Sequence, residues 1–242
     1  MVFEMIAVVM AAGKGVRLRP VTDSVPKAMI PIAGKPFLEY LLSNLEKAGF
    51  EETHLIVGYK KELVEKHFGE KFGKMKLNYF VQEKQLGTAH ALSLVEDFVE
   101  GKFVALNGDV IVSTATLKEL SQTDEFDITD IIILIQEVED TWRYGCLKIQ
   151  NGKVIDIIEK PSPGQEPSKS VSMGVYRFDK LIFSAIRETA LSERNEFELV
   201  DSIKKLIQAG GIVVPKKYIG PYVHLGDIED LQAAEKTLPQ IQ

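Results

Sequence analysis

Lys14, Arg17, Lys27 and Asp109 are the side chains from which chemistry can start in this sequence. Lys14 and Arg17 lie in Ala11-Ala12-Gly13-Lys14-Gly15-Val16-Arg17-Leu18-Arg19-Pro20, directly after the apolar run Ile6 to Met10. Glycines placed there let backbone N–H groups approach phosphate oxygens with no Cβ in the way. Two known phosphate fingerprints fail: a dinucleotide turn wants a third glycine where Leu18 stands, and a Walker loop wants Ser or Thr where Gly15 stands. By itself the segment is therefore either a phosphate cradle or a tight turn with no ligand. Lys27 follows in Pro26-Lys27, a further cation near the same turn. Asp109 closes Asn107-Gly108-Asp109 after the apolar run Phe103 to Leu106. It is either a turn-former or an oxygen ligand of the kind Mg²⁺ prefers.

The elements that must position these residues are read from periodicity. Ile6 to Met10 has the pattern of a strand buried on both faces. Leu38, Leu41, Leu42 and Leu45 recur at helical spacing between Pro36, suited to a first turn, and Gly49, suited to an end. Strands at Leu55–Val57, Leu77–Val81 and Phe103–Leu106 alternate with helices at Glu62–Phe68 and Thr88–Phe98. That alternation predicts crossover connections and an α/β fold, Rossmann-like and three-layered, with a central mixed, mainly parallel sheet. Ligands of such sheets bind at the carboxyl ends of strands, where Ala11 to Arg19 and Asp109 fall. Further on, Ile131–Ile135 reads as a strand and Leu147–Ile158 as a hairpin around Asn151-Gly152. A strand at Val171–Phe178, helices near Asp179–Thr189 and Glu198–Gln208, a strand near Tyr222–Leu225 and a helix from about Ile228 complete the order. Asp130 interrupts the apolar stretch Ile128 to Ile135; it suits either a strand end or a solvent-facing position and carries no functional reading.

Composition narrows the class. The 242 residues carry 35 acidic and 29 basic side chains, a net charge of −6, with 45% hydrophobic and 26% charged residues. A chain of this size buries roughly 70–75% of its unfolded surface and needs no staple. Net acidity argues against nucleic acid as a partner, since counterion release needs clustered cations. No segment approaches the ~20 apolar residues of a membrane span, and no signal peptide is read. The single Cys146 allows no internal disulfide and reads as a small core residue. These features together predict a soluble cytoplasmic protein.

The glycine turn does not stand alone. Pro26-Lys27 leads into Pro31-Ile32-Ala33-Gly34-Lys35-Pro36. Gln82 with Leu86-Gly87-Thr88-Ala89, then Asn107-Gly108-Asp109, Tyr144-Gly145, Glu159-Lys160-Pro161, Met173-Gly174-Val175-Tyr176 and Glu193 to Asp201 follow in order. In these motifs the chain resembles the sugar-1-phosphate nucleotidylyltransferases over nearly its whole length. The resemblance implies one nucleotidyltransferase domain, with a nucleotide-binding part at about 1–125 and a sugar-phosphate part at about 126–242. The implied substrates are a nucleoside triphosphate and a sugar 1-phosphate, and the implied metal is Mg²⁺. Gly13, Lys14, Gly15 and Arg17 would cradle the triphosphate, and Lys27 would neutralise charge at the α-phosphate and pyrophosphate. Ala11, Gln82, Gly87 and Thr88 would contact the base. Lys160 would hold the sugar phosphate, with Glu159 and the backbone at Gly145 and Gly174 reading sugar hydroxyls. The Ala-Ala-Gly opening leans toward UTP over dTTP, with glucose 1-phosphate as acceptor. A homo-oligomer is compatible with the resemblance, and no heptad supports it independently.

The physical need for those cations is independent of the resemblance. Both substrates are anions, and at ~4 Å each pair of unit charges repels by about 4 kcal/mol at an effective dielectric near 20. One departure stands out. Where the family supplies a second carboxylate, Tyr222-Val223-His224-Leu225-Gly226-Asp227 places His224. Three arrangements are open: Asp227 turned inward, His224 on the metal or a phosphate, or Asp109 sufficient with phosphates and water. The last is favoured, with Asp109 essential and His224 secondary. Alternatives in function are a cytidylyltransferase for a non-sugar alcohol phosphate and a weakly catalytic nucleotide-sugar sensor. The length beyond His224 leaves no room for the repeat-built acyltransferase domain of some relatives, so nucleotidyl transfer alone is expected.

Overall fold

The computed structural model describes residues 5–122, 128–238 and 241. The chain opens with β1 (Ala7–Met10), the short strands β2 (Pro31–Ile32) and β3 (Lys35–Pro36), and α1 (Phe37–Ala48). Next come β4 (Glu52–Val57), α2 (Lys61–Phe68), β5 (Lys71–Phe72), β6 (Met75–Val81) and α3 (Thr88–Ser93). β7 (Lys102–Asn107), β8 (Val110–Ile111) and α4 (Thr114–Gln122) precede β9 (Ile131–Glu137), β10 (Gly145–Gln150) and β11 (Lys153–Glu159). β12 (Ser170–Asp179), α5 (Ile182–Arg187), α6 (Leu199–Gln208), β13 (Val213–Lys217), β14 (Val223–His224) and α7 (Ile228–Thr237) follow. Two compact units result: Met1–Gln85 with Val104–Gln122 and Gly220–Gln242, and Leu86–Phe103 with Thr123–Ile219. The division expected near residue 125 lies in 123–127, outside the described residues.

In the first unit the strands run in the order β7-β1-β4-β6-β5. β1 pairs in parallel with both neighbours, Ala7 opposite Val104 and Thr53, Met10 opposite Asn107 and Ile56. All four β1 residues are buried, which explains a run with no polar alternation. The chain leaves β1 at Ala11 and β7 at Gly108, so the glycine turn and Asp109 emerge at one sheet edge. A Cβ on Gly108 would lie 2.9 Å from the Ala11 Cα and 3.0 Å from the Met10 carbonyl, and only glycine fits there. α1 buries Leu38, Leu41, Leu42 and Leu45, as its spacing predicts. Pro36 is its cap and not its first helical residue, because its ψ of 140° is extended.

The second unit is mainly antiparallel. β11-β10-β12-β9 pair in that order, and β13 joins β9 in parallel. The β10–β11 turn places Asn151 at φ 51° and Gly152 at φ 73°, the two left-handed residues that a type I′ turn needs. Asp130 serves the fold, since its Oδ2 accepts the Ile212 N–H at 2.7 Å and its carbonyl accepts from Asp179 at 2.7 Å. It pins the start of β9 to the end of β12 and to the turn before β13. Cys146 is buried, and burial first of all raises its thiol pKa to about 11, which makes it a core residue and not a nucleophile.

The fold is α/β and Rossmann-like with a mixed sheet; the parallel pairings concentrate in the unit that carries the glycine turn. Several element boundaries differ from the expected ones. The helix expected through Phe98 ends at Ser93, where Leu94 and Val95 bond to carbonyls three residues back and tighten the chain into a 3₁₀ turn at Glu96–Phe98. The last strand is only Val223–His224, and the helix expected over Asp179–Thr189 covers Ile182–Arg187. α4 and β13 have no counterpart in the expected order. β13 contains Pro215 and two lysines, which weaken its pattern but suit a strand paired on one side. Among the described residues no helix is long and apolar enough to cross a membrane.

Candidate functional site

The glycine turn is built by one left-handed residue. Gly15, at φ 64°, starts the 3₁₀ turn Val16–Leu18, and its carbonyl accepts from the Leu18 N–H and the Thr22 hydroxyl, both at 2.9 Å. A Cβ on Gly15 would come within 3.0 Å of the Lys27 Cβ and 3.1 Å of the Thr22 Cγ2. The turn is therefore packed directly on the stem of Lys27. Gly13, Lys14 and Arg17 are exposed. Among the described residues no ion pair engages Lys14 or Arg17, whereas Arg19 is paired with Asp23 at 3.2 Å. Two cations thus remain available to an anion beside the exposed backbone of Gly13.

Lys27 sits in a 3₁₀ turn, Lys27–Met29, after the extended Pro26, and its ammonium bonds the Asp109 Oδ2. The other oxygen, Oδ1, is buried and has no hydrogen-bond partner among the described residues. Burial alone would raise the Asp109 pKa. Lys27, His224 and hydrogen bonding outweigh it and hold the group below the usual carboxylate range. An ionised carboxylate with one buried, unpartnered oxygen suits a hard cation and would otherwise carry a desolvation cost. The donors thus fit Mg²⁺ at Asp109. Among the described residues no group of three or more His, Cys, Asp or Glu side chains is arranged for a metal.

The segment after β14 completes this corner. Val223 and His224 pair with Ile111 and Val110, and the Leu225 N–H donates to the Asp109 carbonyl at 2.9 Å. His224 Nε2 stands 3.9 Å from the Asp109 Oδ2, and its Nδ1 stands 3.6 Å from the Asp230 Oδ2. Asp227, one of the two candidates for a second metal ligand, is used elsewhere. It caps α7 in a capping box, accepting the Asp230 N–H at 3.1 Å.

The residues expected to read the base are placed as follows. Ala11 is buried, with its N–H on the Ile56 carbonyl at 2.8 Å. Gln82 is buried at the end of β6, and its carbonyl accepts from the Gln85 side chain at 3.0 Å. Gly87 and Thr88 lie against the segment before α6. A Cβ on Gly87 would meet the Phe197 carbonyl oxygen at 2.5 Å, and the Thr88 hydroxyl accepts the Leu199 N–H at 3.0 Å. Both therefore also serve packing, with Phe197 bonded to the Leu86 carbonyl and to the Ala89 N–H.

The expected sugar-phosphate residues gather in the second unit. Gly145 pairs with Glu159 across the β10–β11 ladder, and a Cβ there would press on Val200 at 3.0 Å and on the Glu159 carboxylate at 3.2 Å. Lys160 adopts φ 44° just past β11, with its ammonium 3.3 Å from Glu159. Gly174, at φ 72°, lies where the β12–β9 register shifts, a bulge that redirects the strand.

Arg194 and Glu198 are functional candidates that spacing alone does not single out. Arg194 bonds the buried Glu198 at 2.5 Å and reaches Glu159 at 3.5 Å, while Ser192 donates to the same Glu198 oxygen at 3.2 Å. Burial, then Glu198, raises the Asp201 pKa and also that of Glu196, the mark of a crowded acidic cluster. The Glu193–Asp201 motif points to this stretch. The individual roles stay hidden because Arg194 precedes the helix, where spacing assigns no face.

Residues 6–240 match the family model described as Nucleotidyl transferase. The chain is 36% identical over 237 residues to UTP–glucose-1-phosphate uridylyltransferase AglF of Haloferax volcanii, covering 97% of this chain and 96% of that protein. It is 38% identical over 205 residues to the bifunctional protein GlmU of Methanococcus maripaludis, covering 84% of this chain but only 47% of GlmU. The chain thus spans about half the length of those bifunctional relatives. Among solved structures, UDP-glucose pyrophosphorylase complexed with UDP-glucose superposes with a TM-score of 0.87 at 23% identity, over 98% of this chain and 99% of that one. The last similarity speaks to the fold; the family match and AglF speak to ancestry. The chain belongs to the nucleotidyl transferase family.

Proposed function

We propose that this protein transfers a nucleotidyl group from a nucleoside triphosphate to a sugar 1-phosphate, releasing pyrophosphate. The observation that carries the reading is the Lys27–Asp109 pair, with its buried, unpartnered Asp109 oxygen, packed behind the Gly15 turn. A phosphate oxygen of the sugar phosphate attacks the α-phosphorus. As that bond forms, the bond from the α-phosphorus to the bridging oxygen breaks, and its electron pair leaves with pyrophosphate. The attacking oxygen is already anionic, so no base is needed, and positioning with charge neutralisation supplies the catalysis.

In this reading the N–H groups at Gly13 to Gly15 and the side chains of Lys14 and Arg17 hold the triphosphate, Arg17 with a bidentate fork. Lys27 neutralises charge on the leaving pyrophosphate. Mg²⁺, when bound through Asp109, supplies further positive charge to the phosphate oxygens. Ala11, Gln82, Gly87 and Thr88 contact the base. Glu159 and the backbone at Gly145 and Gly174 orient the sugar, and Lys160 holds its phosphate. We take UTP and glucose 1-phosphate as the preferred pair, with dTTP the nearest competitor, and a reducing, cytoplasmic setting for the free Cys146. Pyrophosphate release measured for each triphosphate with a panel of sugar 1-phosphates tests this directly. Release with UTP or dTTP that requires the sugar phosphate supports it; release from no pair would overturn it.

Lys160 gives a sharper check within the second unit. Losing one charge-assisted bond, Lys160→Ala should raise the KM for sugar phosphate roughly ten- to a hundredfold. The KM for triphosphate should stay within about twofold, because Lys160 does not serve that substrate. Steady-state kinetics in both substrates will show it, and equal rises in the two KM values would remove Lys160 from its place.

A further inference from the structure

The surroundings of His224 support a step that rests on reading Asp109 as a metal ligand. We propose that His224 is the second protein ligand at this centre, oriented by Asp230, and that it shifts the site's metal preference from Mg²⁺ toward Mn²⁺. The imidazole lies between two carboxylates, with Nε2 3.9 Å from the Asp109 Oδ2 and Nδ1 3.6 Å from the Asp230 Oδ2. One ring nitrogen faces the metal candidate while the other faces the Asp230 carboxylate at 3.6 Å, an electrostatic contact longer than a hydrogen bond that metal binding would tighten.

Each part of this arrangement is held independently. The β14–β8 pairing and the Leu225 N–H on the Asp109 carbonyl fix the backbone of His224 beside Asp109. Asp230 is fixed by its Oδ2, which accepts the N–H groups of Gly226 at 2.8 Å and Asp227 at 3.1 Å. The competing role, a histidine that only neutralises Asp109, is poorly served here. Lys27 already bonds the same Oδ2, and a second cation on that side leaves the buried Oδ1 unpartnered. A metal ion held by Asp109 and His224 would give the Asp109 carboxylate the partner that its buried oxygen lacks among the described residues. A nitrogen donor is a poor match for Mg²⁺, which takes oxygen ligands, and a better one for Mn²⁺ or the later divalent metals.

The test uses the full chain with Mn²⁺ alone as probe. Pulsed EPR on the bound Mn²⁺ should show coupling to a directly bound ¹⁴N, and His224→Ala should abolish it and weaken Mn²⁺ binding at least about tenfold. In His224→Asp the nitrogen coupling also disappears, and Mg²⁺ competes against Mn²⁺ about tenfold better than in the unmodified protein. Asp230→Asn keeps acceptors for the α7 cap, retains the coupling and weakens Mn²⁺ binding roughly tenfold. Absence of nitrogen coupling in the unmodified protein, or unchanged Mn²⁺ affinity in His224→Ala, overturns the proposal. If Asp109→Asn abolishes Mn²⁺ binding while His224→Ala does not, only the role of His224 falls. If neither variant matters, the metal role of Asp109 falls with it.

Discussion

Asp109→Asn should lower turnover roughly 10²–10³-fold, the range seen when one preorganised charge-stabilising group is removed. Asparagine keeps the shape of the side chain and can still accept from Lys27, so packing at the end of β7 is preserved. What it loses is the negative charge and the anionic Oδ1 that is buried and unpartnered among the described residues. Breaking the pair from this side leaves the part-buried Lys27 ammonium without its counter-charge, which costs stability, although the neutral amide oxygen still accepts its hydrogen bond. The thermal midpoint should therefore fall modestly while kcat collapses. Turnover above about a tenth of normal would remove Asp109 from the centre of the reaction.

Lys27→Met should cost as much in turnover, roughly 10²–10³-fold, but through a different route. The ammonium that the proposed reaction sets against the leaving pyrophosphate is gone, and Asp109 loses its ion-pair donor from the Lys27–Met29 turn. A part-buried carboxylate stripped of that bond costs about 1–3 kcal/mol. This variant should therefore lower the thermal midpoint more than Asp109→Asn does, because methionine offers Asp109 no hydrogen bond. Adding Asp109→Asn to Lys27→Met should restore most of the lost stability and none of the activity, because the two side chains act as one pair. Melting curves and kcat on the single and double variants separate these outcomes. Additive losses of stability would show that the pair is not coupled.

The features legible in the sequence are those with a backbone reason. β1 was legible because a strand covered on both faces must be apolar throughout. The Gly15 turn was legible as a turn after a buried strand, whereas the close approaches that require glycine at 15 and 108, a Cβ meeting Lys27 at 3.0 Å and Ala11 at 2.9 Å, emerge only from the structure. Asp109 could be placed at the same edge as the turn because both follow strands that prove to be parallel neighbours.

The rest depended on contacts between residues far apart in sequence. Arg194, Glu198 and Glu159 form one array although 35 positions separate Arg194 from Glu159. Asp230 was hidden by its ordinary look, an acidic residue in the first turn of a helix, where Asp and Glu are common for dipole reasons alone. Asp227 looked equally suited to the metal until its capping bond to Asp230 assigned it elsewhere. Thr88, expected at the base, proved also to hold the N–H of Leu199, a partner no local pattern predicts.

The most direct test of the central claim follows the phosphate oxygens. With sugar 1-phosphate labelled by ¹⁸O in its phosphate group, mass spectrometry of the products reports which oxygen attacked and which phosphorus was struck. Attack by the sugar phosphate on the α-phosphorus predicts that the whole label appears in the nucleotide sugar and none in pyrophosphate. Label in pyrophosphate, or pyrophosphate released with no nucleotide sugar formed, would contradict it.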